Sequence, residues 1–196
     1  MKKVIIVGAS YAGLYAAKKF AQNSEIEVLI FDKSAYHYIQ VESYGFVANK
    51  YDINDVTINI GEYVKKLNIN ITFIKEEISS FDSTSKTITS IDNKEYSYDY
   101  LIISTGSLTN FPIQVPNIQK YSKGIKTLQR ASEVKQTFDS IMNEVIWQQK
   151  NDSQKPYNIV IGGAGLSGVE VATEMSTFLK DRFSKSNENF SDADAE

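Results

Sequence analysis

The hydrophobic pattern of the N-terminal half predicts an α/β fold. A β-branched run from Lys3 to Val7 is typical of a strand that is buried on both faces. Apolar residues then recur with helical spacing from Ala12 to Ala21, and a second strand runs from Ile26 to Phe31 and ends at Asp32. Strand, glycine turn, helix and strand in this order form a βαβ unit.

The pattern is lost between residues 34 and 51, a tyrosine-rich stretch without a clear period. A short helix from Gly61 to Leu67 and a third strand from Ile71 to Lys75 follow. Alternating sequence with two turn signals then predicts a small antiparallel meander. The strand from Tyr100 to Ile103 is expected to return to the parallel sheet.

The C-terminal half predicts two helices separated by a strand. A long helix is expected from Leu128 to Gln149, a strand from Asn158 to Ile161, and a second helix reaching about Lys180. We expect a first domain over residues 1–115, a connector with a helix over 116–156, an incomplete βα unit over 157–183 and a disordered tail over 184–196. A βα unit without a returning strand is unfinished, so we expect either an N-terminal fragment of a longer protein or a protein that takes its missing half from another chain.

Two glycine loops lie at strand-to-helix turns, GASYAG at residues 8–13 and GGAGLSG at residues 162–168. A dinucleotide pyrophosphate needs one glycine for the tight turn, one for close backbone approach and one for helix packing. Free N–H groups at the helix start then bind the anion. These roles are assigned to Gly8, Ser10 and Gly13 in the first loop and to Gly163, Gly165 and Gly168 in the second.

Asp32 strengthens the nucleotide interpretation of the first loop. It closes the second strand nineteen residues after Gly13, where an acid can accept hydrogen bonds from ribose hydroxyls. The alternative is a purely structural turn between a strand and a helix.

Composition and charge narrow the function further. The 196 residues are 42% hydrophobic and 23% charged, with a net charge of −3, so no basic patch indicates nucleic-acid binding. The absence of cysteine excludes a disulfide scaffold and a redox dithiol within these residues. No metal-ligand cluster stands out, and no apolar run reaches the roughly 20 residues of a membrane span. We therefore expect a cytoplasmic protein without a metal.

Four motifs in order carry a family resemblance: GASYAGLYAA, YDYLIISTGS, KTLQRASEV and GGAGLSGVEVATEM. With glycine loops about 155 residues apart, the chain resembles the FAD-dependent pyridine nucleotide oxidoreductase superfamily. Its motifs are most similar to type II NADH:quinone oxidoreductases and apoptosis-inducing-factor-like proteins. The resemblance implies a Rossmann-like FAD-binding domain with a parallel sheet and an inserted meander, followed by the start of a Rossmann-like NAD-binding domain.

The resemblance also implies which residues bind the cofactors. Asp32 would bind the adenosine ribose, with Lys33 beside the adenosine. The FAD pyrophosphate would lie against Gly8, Ser10, Tyr11, Ala12 and Gly13. Glu77 and Ile78 would approach the adenine. Thr105 and Gly106 match the family's ATG motif, in which Ser104 replaces alanine. The phosphates of NAD(P)H would lie against Gly163, Gly165 and Gly168.

Glu170 matches a family acid close to the point where nicotinamide meets flavin, and it is the one catalytic candidate. Its alternative role is a helix-first-turn acid that the helix dipole favours. His37, the only histidine, is interpreted as a surface or loop imidazole. Four aromatic residues would either line a flavin or quinone cavity or cover sheet edges and core: Tyr36, Tyr38, Tyr44 and Phe46.

The expected function is transfer of a hydride from NAD(P)H to FAD, with electrons passing on to a quinone or similar acceptor. Two alternatives stay open: a ferredoxin- or oxygen-linked reductase with the same cofactors, and a non-catalytic nucleotide-binding module. For a quinone reductase, peripheral attachment to the inner face of the membrane is an alternative to a purely cytoplasmic location. A homodimer is also left open.

Overall fold

The computed structural model of the chain describes residues 1–68, 70–150 and 156–185. The strands are β1 (Lys2–Val7), β2 (Ile26–Asp32), β3 (Tyr36–Tyr38), β4 (Thr57–Asn59), β5 (Ile71–Lys75), β6 (Ile78–Asp82), β7 (Thr87–Ser90), β8 (Glu95–Ser97) and β9 (Tyr100–Ile103). The helices are α1 (Tyr11–Phe20), α2 (Ser43–Val47), α3 (Ile60–Lys65), α4 (Ile118–Tyr121), α5 (Leu128–Lys150) and α6 (Leu166–Lys185), with a 3-10 turn at Gln40–Glu42.

The chain divides into two compact units. The first consists of Met1–Tyr38 and Thr57–Leu108, and the second consists of Ile39–Val56 and the chain from Thr109 onward. The predicted first domain, residues 1–115, differs from the first unit mainly because residues 39–56 pack with the helices of the C-terminal half.

A parallel sheet organises the first unit. Its strand order is β5-β2-β1-β9, and Val4 of β1 pairs with both Val28 and Tyr100. The predicted α/β fold and the return of β9 to the parallel sheet are therefore confirmed. Since parallel strands end at the same edge, the sheet brings together the residues that follow β1, β2, β5 and β9.

Alternate residues of β1 pack on opposite faces of this sheet. Val4 and Ile6 join the core against α1 and α3, in which Leu14 and Val64 are buried. Ile5 points to the other face, where it packs in a cluster with Phe31 and Ile88. Burial on both faces explains the continuous apolar run in the sequence of this strand.

The predicted meander is present and covers one face of the sheet. Strands β6, β7 and β8 pair antiparallel, and the ring of Tyr96 on β8 meets the ring of Phe31 edge-on at 4.7 Å. Asn93 adopts φ +59° in the turn between β7 and β8, a conformation that asparagine tolerates better than most residues. The turn signal in the sequence therefore has a direct backbone cause.

In the second unit, α2 packs against α5 and α6. Phe46, Val47 and Ala48 are buried there, and the rings of Phe138 and Phe178 lie 5.6 Å apart. The tyrosine-rich stretch showed no period because it contains a short strand, a 3-10 turn and a five-residue helix, each too short to repeat a pattern.

The predicted strand from Asn158 to Ile161 is wrong. A parallel strand exists through hydrogen bonds to its neighbours, and the described residues supply no neighbouring strand for this run. Val160 is accordingly 88% exposed. Helix α6 extends to Lys185, beyond the predicted end near Lys180. The disordered tail was predicted from residue 184, but residues 184 and 185 belong to α6. The rest of the predicted tail, residues 186–196, lies outside the described residues.

Candidate functional site

Two glycines make the first loop sterically possible. Gly8 has φ +102°, and a Cβ atom there would lie 2.4 Å from the carbonyl oxygen of Ser104. A Cβ atom at Gly13 would lie 1.9 Å from the carbonyl oxygen of Gly8. Both distances are far below van der Waals contact, so the start of α1 packs directly on the end of β1.

Ser10 occupies the middle position of the first loop and is the N-cap of α1. Its backbone is extended, and its side chain makes no capping hydrogen bond. The carbonyl oxygen of Ser10 accepts from the amide of Leu14 at 2.9 Å, which begins the intrahelical hydrogen bonding. The amides of Tyr11, Ala12 and Gly13 precede that bond and lack intrahelical acceptors, as at any helix start. Free amides at a helix start are able to bind an anion.

Asp32 holds the loop in addition to ending β2. One carboxylate oxygen accepts from the amide of Ala9 and the other from the amide of Ser34, each at 2.8 Å. A carboxylate has about four lone-pair positions, so acceptor capacity remains after these two bonds. The sequence interpretation gave Asp32 a ribose role and missed this contact with the glycine loop.

Ser104 links the ends of β9 and β1. Its hydroxyl donates to the carbonyl oxygens of Gly8 at 2.8 Å and Val7 at 3.2 Å, and its amide donates to Val7 at 2.7 Å. Sequence reasoning noted Ser104 only as a departure from the ATG motif. The hydrogen-bonding role could have been predicted from the position of a hydroxyl residue at the end of a strand, beside the tight turn.

A cleft of about 350 Å³ lies at this edge of the sheet. It is lined by most of the residues that the sequence assigned to FAD, namely Gly8, Asp32, Lys33, Glu77, Ile78, Thr105 and Gly106. Ser10, Tyr11, Ala12 and Gly13 do not line this cleft. A wider depression of about 1140 Å³ lies at the opposite edge, around Lys2, Phe20 and Tyr100, and contains none of the predicted site residues.

Charged side chains border the cleft. Lys33 Nζ lies 3.3 Å from Glu77 Oε1, and both side chains are largely exposed, so this ion pair contributes little to stability. Glu76 accepts hydrogen bonds from Lys94 and from the hydroxyl of Tyr96. The bond from Lys94 lowers the pKa of Glu76, which keeps this carboxylate ionised beside the cleft.

His37 lies beside the first loop and is buried, so its interpretation as a surface imidazole is wrong. Its side chain is 5% exposed, and its ring meets the ring of Tyr11 edge-on at 4.5 Å. Burial lowers the pKa of His37, and the negative charge of Asp32 opposes this effect only in part. The neutral imidazole is therefore the form that the fold favours.

The second loop repeats the geometry of the first. Gly163 has φ +123°, and a Cβ atom at Gly168 would lie 1.9 Å from the carbonyl oxygen of Gly163. The amide of Val169 donates to the carbonyl oxygen of Gly165 at 3.1 Å, as Leu14 does to Ser10. A Cβ atom at Gly165 would meet nothing within 4 Å, so packing does not require glycine there.

Glu170, the catalytic candidate, lies exposed in the second turn of α6.

Within the residues that the structure describes, no group of acidic or histidine side chains is arranged to hold a metal ion. Among the described helices, none combines the length and apolar composition that crossing a bilayer requires.

A parallel sheet with a glycine turn after its first strand and an acid at the end of its second defines a Rossmann-like fold of the dinucleotide-binding class. The family model described as pyridine nucleotide-disulphide oxidoreductase matches residues 2–183. The chain belongs to this family.

Individual relatives agree with this assignment. The type II NADH:quinone oxidoreductase of Staphylococcus aureus is 26% identical over 188 residues, which cover 94% of this chain and 45% of that protein. The Staphylococcus saprophyticus protein of the same name is 28% identical over 179 residues, covering 89% of this chain and 43% of that protein. The chain thus spans less than half the length of these relatives.

Solved structures share the fold. NDH2 from Plasmodium falciparum superposes with a TM-score of 0.77 at 22% identity, covering 94% of this chain and 38% of that chain. The sulfide:quinone oxidoreductase from Aquifex aeolicus superposes with a TM-score of 0.65 at 18% identity, covering 96% of this chain and 50% of that chain. At these identities the similarity establishes the fold alone.

The first loop yields a steric prediction. Gly13→Ala should lower the free energy of unfolding by about 1–3 kcal/mol, because the new methyl group overlaps the Gly8 carbonyl. Gly61→Ala in α3 is the matched control, since its Cβ would make only ordinary contacts. Urea unfolding followed by circular dichroism measures both variants. Equal stabilities would contradict the close packing of α1 on β1.

The burial of His37 yields a pH prediction. The unfolded chain binds a proton near the ordinary histidine pKa of 6.5, whereas the folded chain does so only at lower pH. The contribution of neutral His37 is therefore complete above pH 6.5 and is lost as the pH falls below it. Wild type should lose more stability than His37→Phe between about pH 7 and 5 in urea unfolding. Parallel pH profiles would contradict the burial of a neutral imidazole.

Proposed function

We propose that this chain binds FAD at its first glycine loop and NAD(P)H at its second, as part of a flavoprotein oxidoreductase. The observation that carries the proposal is the repeated loop geometry. In each loop the first glycine has a positive φ. At the third glycine, a Cβ atom would lie 1.9 Å from the carbonyl oxygen of the first. This arrangement leaves the amides of the following helix open to a diphosphate.

At the first loop, the chain offers separate groups of residues to the pyrophosphate, the ribose and the adenosine of FAD. The amides of Tyr11, Ala12 and Gly13 would donate to the pyrophosphate, with Gly8 and Ser10 forming the turn beneath it. The remaining lone pairs of Asp32 would accept from the ribose hydroxyls. Lys33, Glu77, Ile78, Thr105 and Gly106 all line the cleft where the adenosine would lie. This lining supports the assignment of the cleft to the nucleotide half of the cofactor.

At the second loop, Gly163, Gly165 and Gly168 would form the turn that receives the phosphates of NAD(P)H. Glu170 lies two residues beyond Gly168 on α6, and we assign it a place near the nicotinamide end. The flavin, when bound, would supply the hydride-accepting chemistry that amino-acid side chains lack. The task of the chain is to bind and orient both nucleotides.

We further propose that a quinone is the electron acceptor of the whole protein. The support is the name of the staphylococcal relatives, type II NADH:quinone oxidoreductase. A quinone dissolved in lipid would be met at a membrane surface, so peripheral membrane association of the whole protein is part of this proposal. Reduction of a ferredoxin or of oxygen is the competing outcome, and steady-state assays with each acceptor discriminate between them.

The cofactor proposal is tested by titration of the 196-residue chain. Added FAD should bind with a change in flavin fluorescence, and Asp32→Ala should weaken that binding by roughly tenfold or more because it removes the loop contact and the ribose acceptor together. Glu27→Ala, on the same strand and half-buried, is the control. Unchanged flavin fluorescence on addition of the wild-type chain would contradict the FAD assignment.

Gly165 gives a test that separates binding from folding. Because a Cβ atom there meets no neighbouring atom, Gly165→Ala should leave the free energy of unfolding within about 0.5 kcal/mol of wild type. The same methyl group would obstruct an approaching diphosphate, so the dissociation constant for NADH should rise roughly tenfold. Gly162→Ala, also in open space, is the matched control. Equal NADH affinity in both variants would exclude a phosphate at the middle of this loop.

A further inference from the structure

A tyrosine of α2 hydrogen-bonds to a serine of the second glycine loop. The hydroxyl of Tyr44 lies 3.0 Å from the hydroxyl of Ser167, and either group can donate. Ser167 lies between Gly165 and Gly168, in the first turn of α6. A side chain from residues 39–56 therefore contacts the loop that the sequence assigned to NAD(P)H.

A second polar contact lies two turns further along the same helix. Lys50 Nζ donates to Glu174 Oε1 at 2.7 Å, and this bond raises the pKa of Lys50. Ser167 and Glu174 are seven residues apart, close to two turns of 3.6 residues, so both lie on one face of α6. Two contacts on one face fix the rotation of the helix about its own axis.

The segment that carries Tyr44 and Lys50 is itself held firmly. Phe46 is buried, and a Cβ atom at Gly45 would lie 2.6 Å from the ring of Tyr51. Asn49 adopts a left-handed conformation with φ +63°, and its side chain hydrogen-bonds to Asp139 and to Lys135 of α5. Tyr44 is therefore presented from a backbone that packing and hydrogen bonds both restrain.

We propose that Tyr44 is a positioning residue for the second glycine loop. Its hydroxyl fixes Ser167 and thereby the first turn of α6, whose free amides would face the diphosphate. The functional part rests on the proposed binding of NAD(P)H to this loop. A fixed first turn reduces the conformational entropy that is lost on binding, because the amides point toward the ligand site before the ligand arrives. Tyr44 touches neither hydride donor nor acceptor in this account and acts only through Ser167.

The structural part is tested without nucleotide. Tyr44→Phe removes one hydroxyl and keeps the ring, so amide hydrogen exchange at Val169 and Glu170 should become several-fold faster while that of α5 stays unchanged. Tyr51→Phe is the matched control, because the contacts of Tyr51 with Gly45 and Lys50 involve its ring. Equal exchange rates in wild type and Tyr44→Phe would overturn the proposal.

The functional part is tested by titration with NADH and with ADP-ribose. Tyr44→Phe and Ser167→Ala should each raise the dissociation constant about two- to tenfold, the range expected for loss of one hydrogen bond. The double variant should bind no worse than the weaker single variant, because one bond is lost in all three. FAD affinity should not change.

The outcomes separate the two proposals. Additive effects of the two substitutions would overturn the positioning role, since Ser167 would then act without Tyr44. So would weaker binding in Ser167→Ala together with unchanged binding in Tyr44→Phe. Wild-type chain that binds neither NADH nor ADP-ribose would overturn the proposed function of the loop. In that case the exchange measurement still decides whether Tyr44 fixes the first turn of α6.

Discussion

The candidate site depends on the close approach of a helix start to the backbone that precedes it. A third glycine lies so near the carbonyl of the first that a methyl group would stand 1.9 Å from that oxygen, in both loops. Only this proximity brings the first turn of the helix over the end of the preceding backbone. Free amides at such a helix start can attract an anion through several partial charges together.

Polar side chains stabilise the first of these turns from two neighbouring strands. Asp32, at the end of β2, accepts from the amide of Ala9, and Ser104, after β9, donates to the carbonyl of Gly8. Each contact satisfies a backbone group that the tight turn leaves without a ladder partner. The same side chains that would be assigned to a ligand therefore also determine the shape of the loop. Loss of binding in an Asp32 variant will combine both effects.

The sequence prediction agreed with the structure in the parallel sheet. The strand Ile71–Lys75 was predicted with its observed bounds, and β9 was predicted to return to the parallel sheet. Both are short runs rich in β-branched and apolar residues, which favour strands. The predicted strand at residues 158–161 failed for a non-local reason. Its residues have strand character, but pairing depends on neighbours that a local pattern does not contain.

The burial and the long-range contacts of single polar residues could not be predicted from the sequence either. His37 was interpreted as a surface or loop imidazole, yet β3 pairs with β4 and its ring lies against Tyr11. The contact between Tyr44 and Ser167 joins residues 123 positions apart, and no spacing rule relates them. The motifs did identify most of the residues that line the cleft at the first loop, because glycine turns and strand ends are local features.

One short stretch of chain contacts both glycine loops. His37 meets Tyr11 at the start of α1, and Tyr44, seven residues later, meets Ser167 at the start of α6. The contacts of this stretch differ in kind, aromatic at His37 and hydrogen-bonded at Tyr44. The chain passes from the first compact unit into the second between Tyr38 and Ile39, so each of these two contacts lies within one unit.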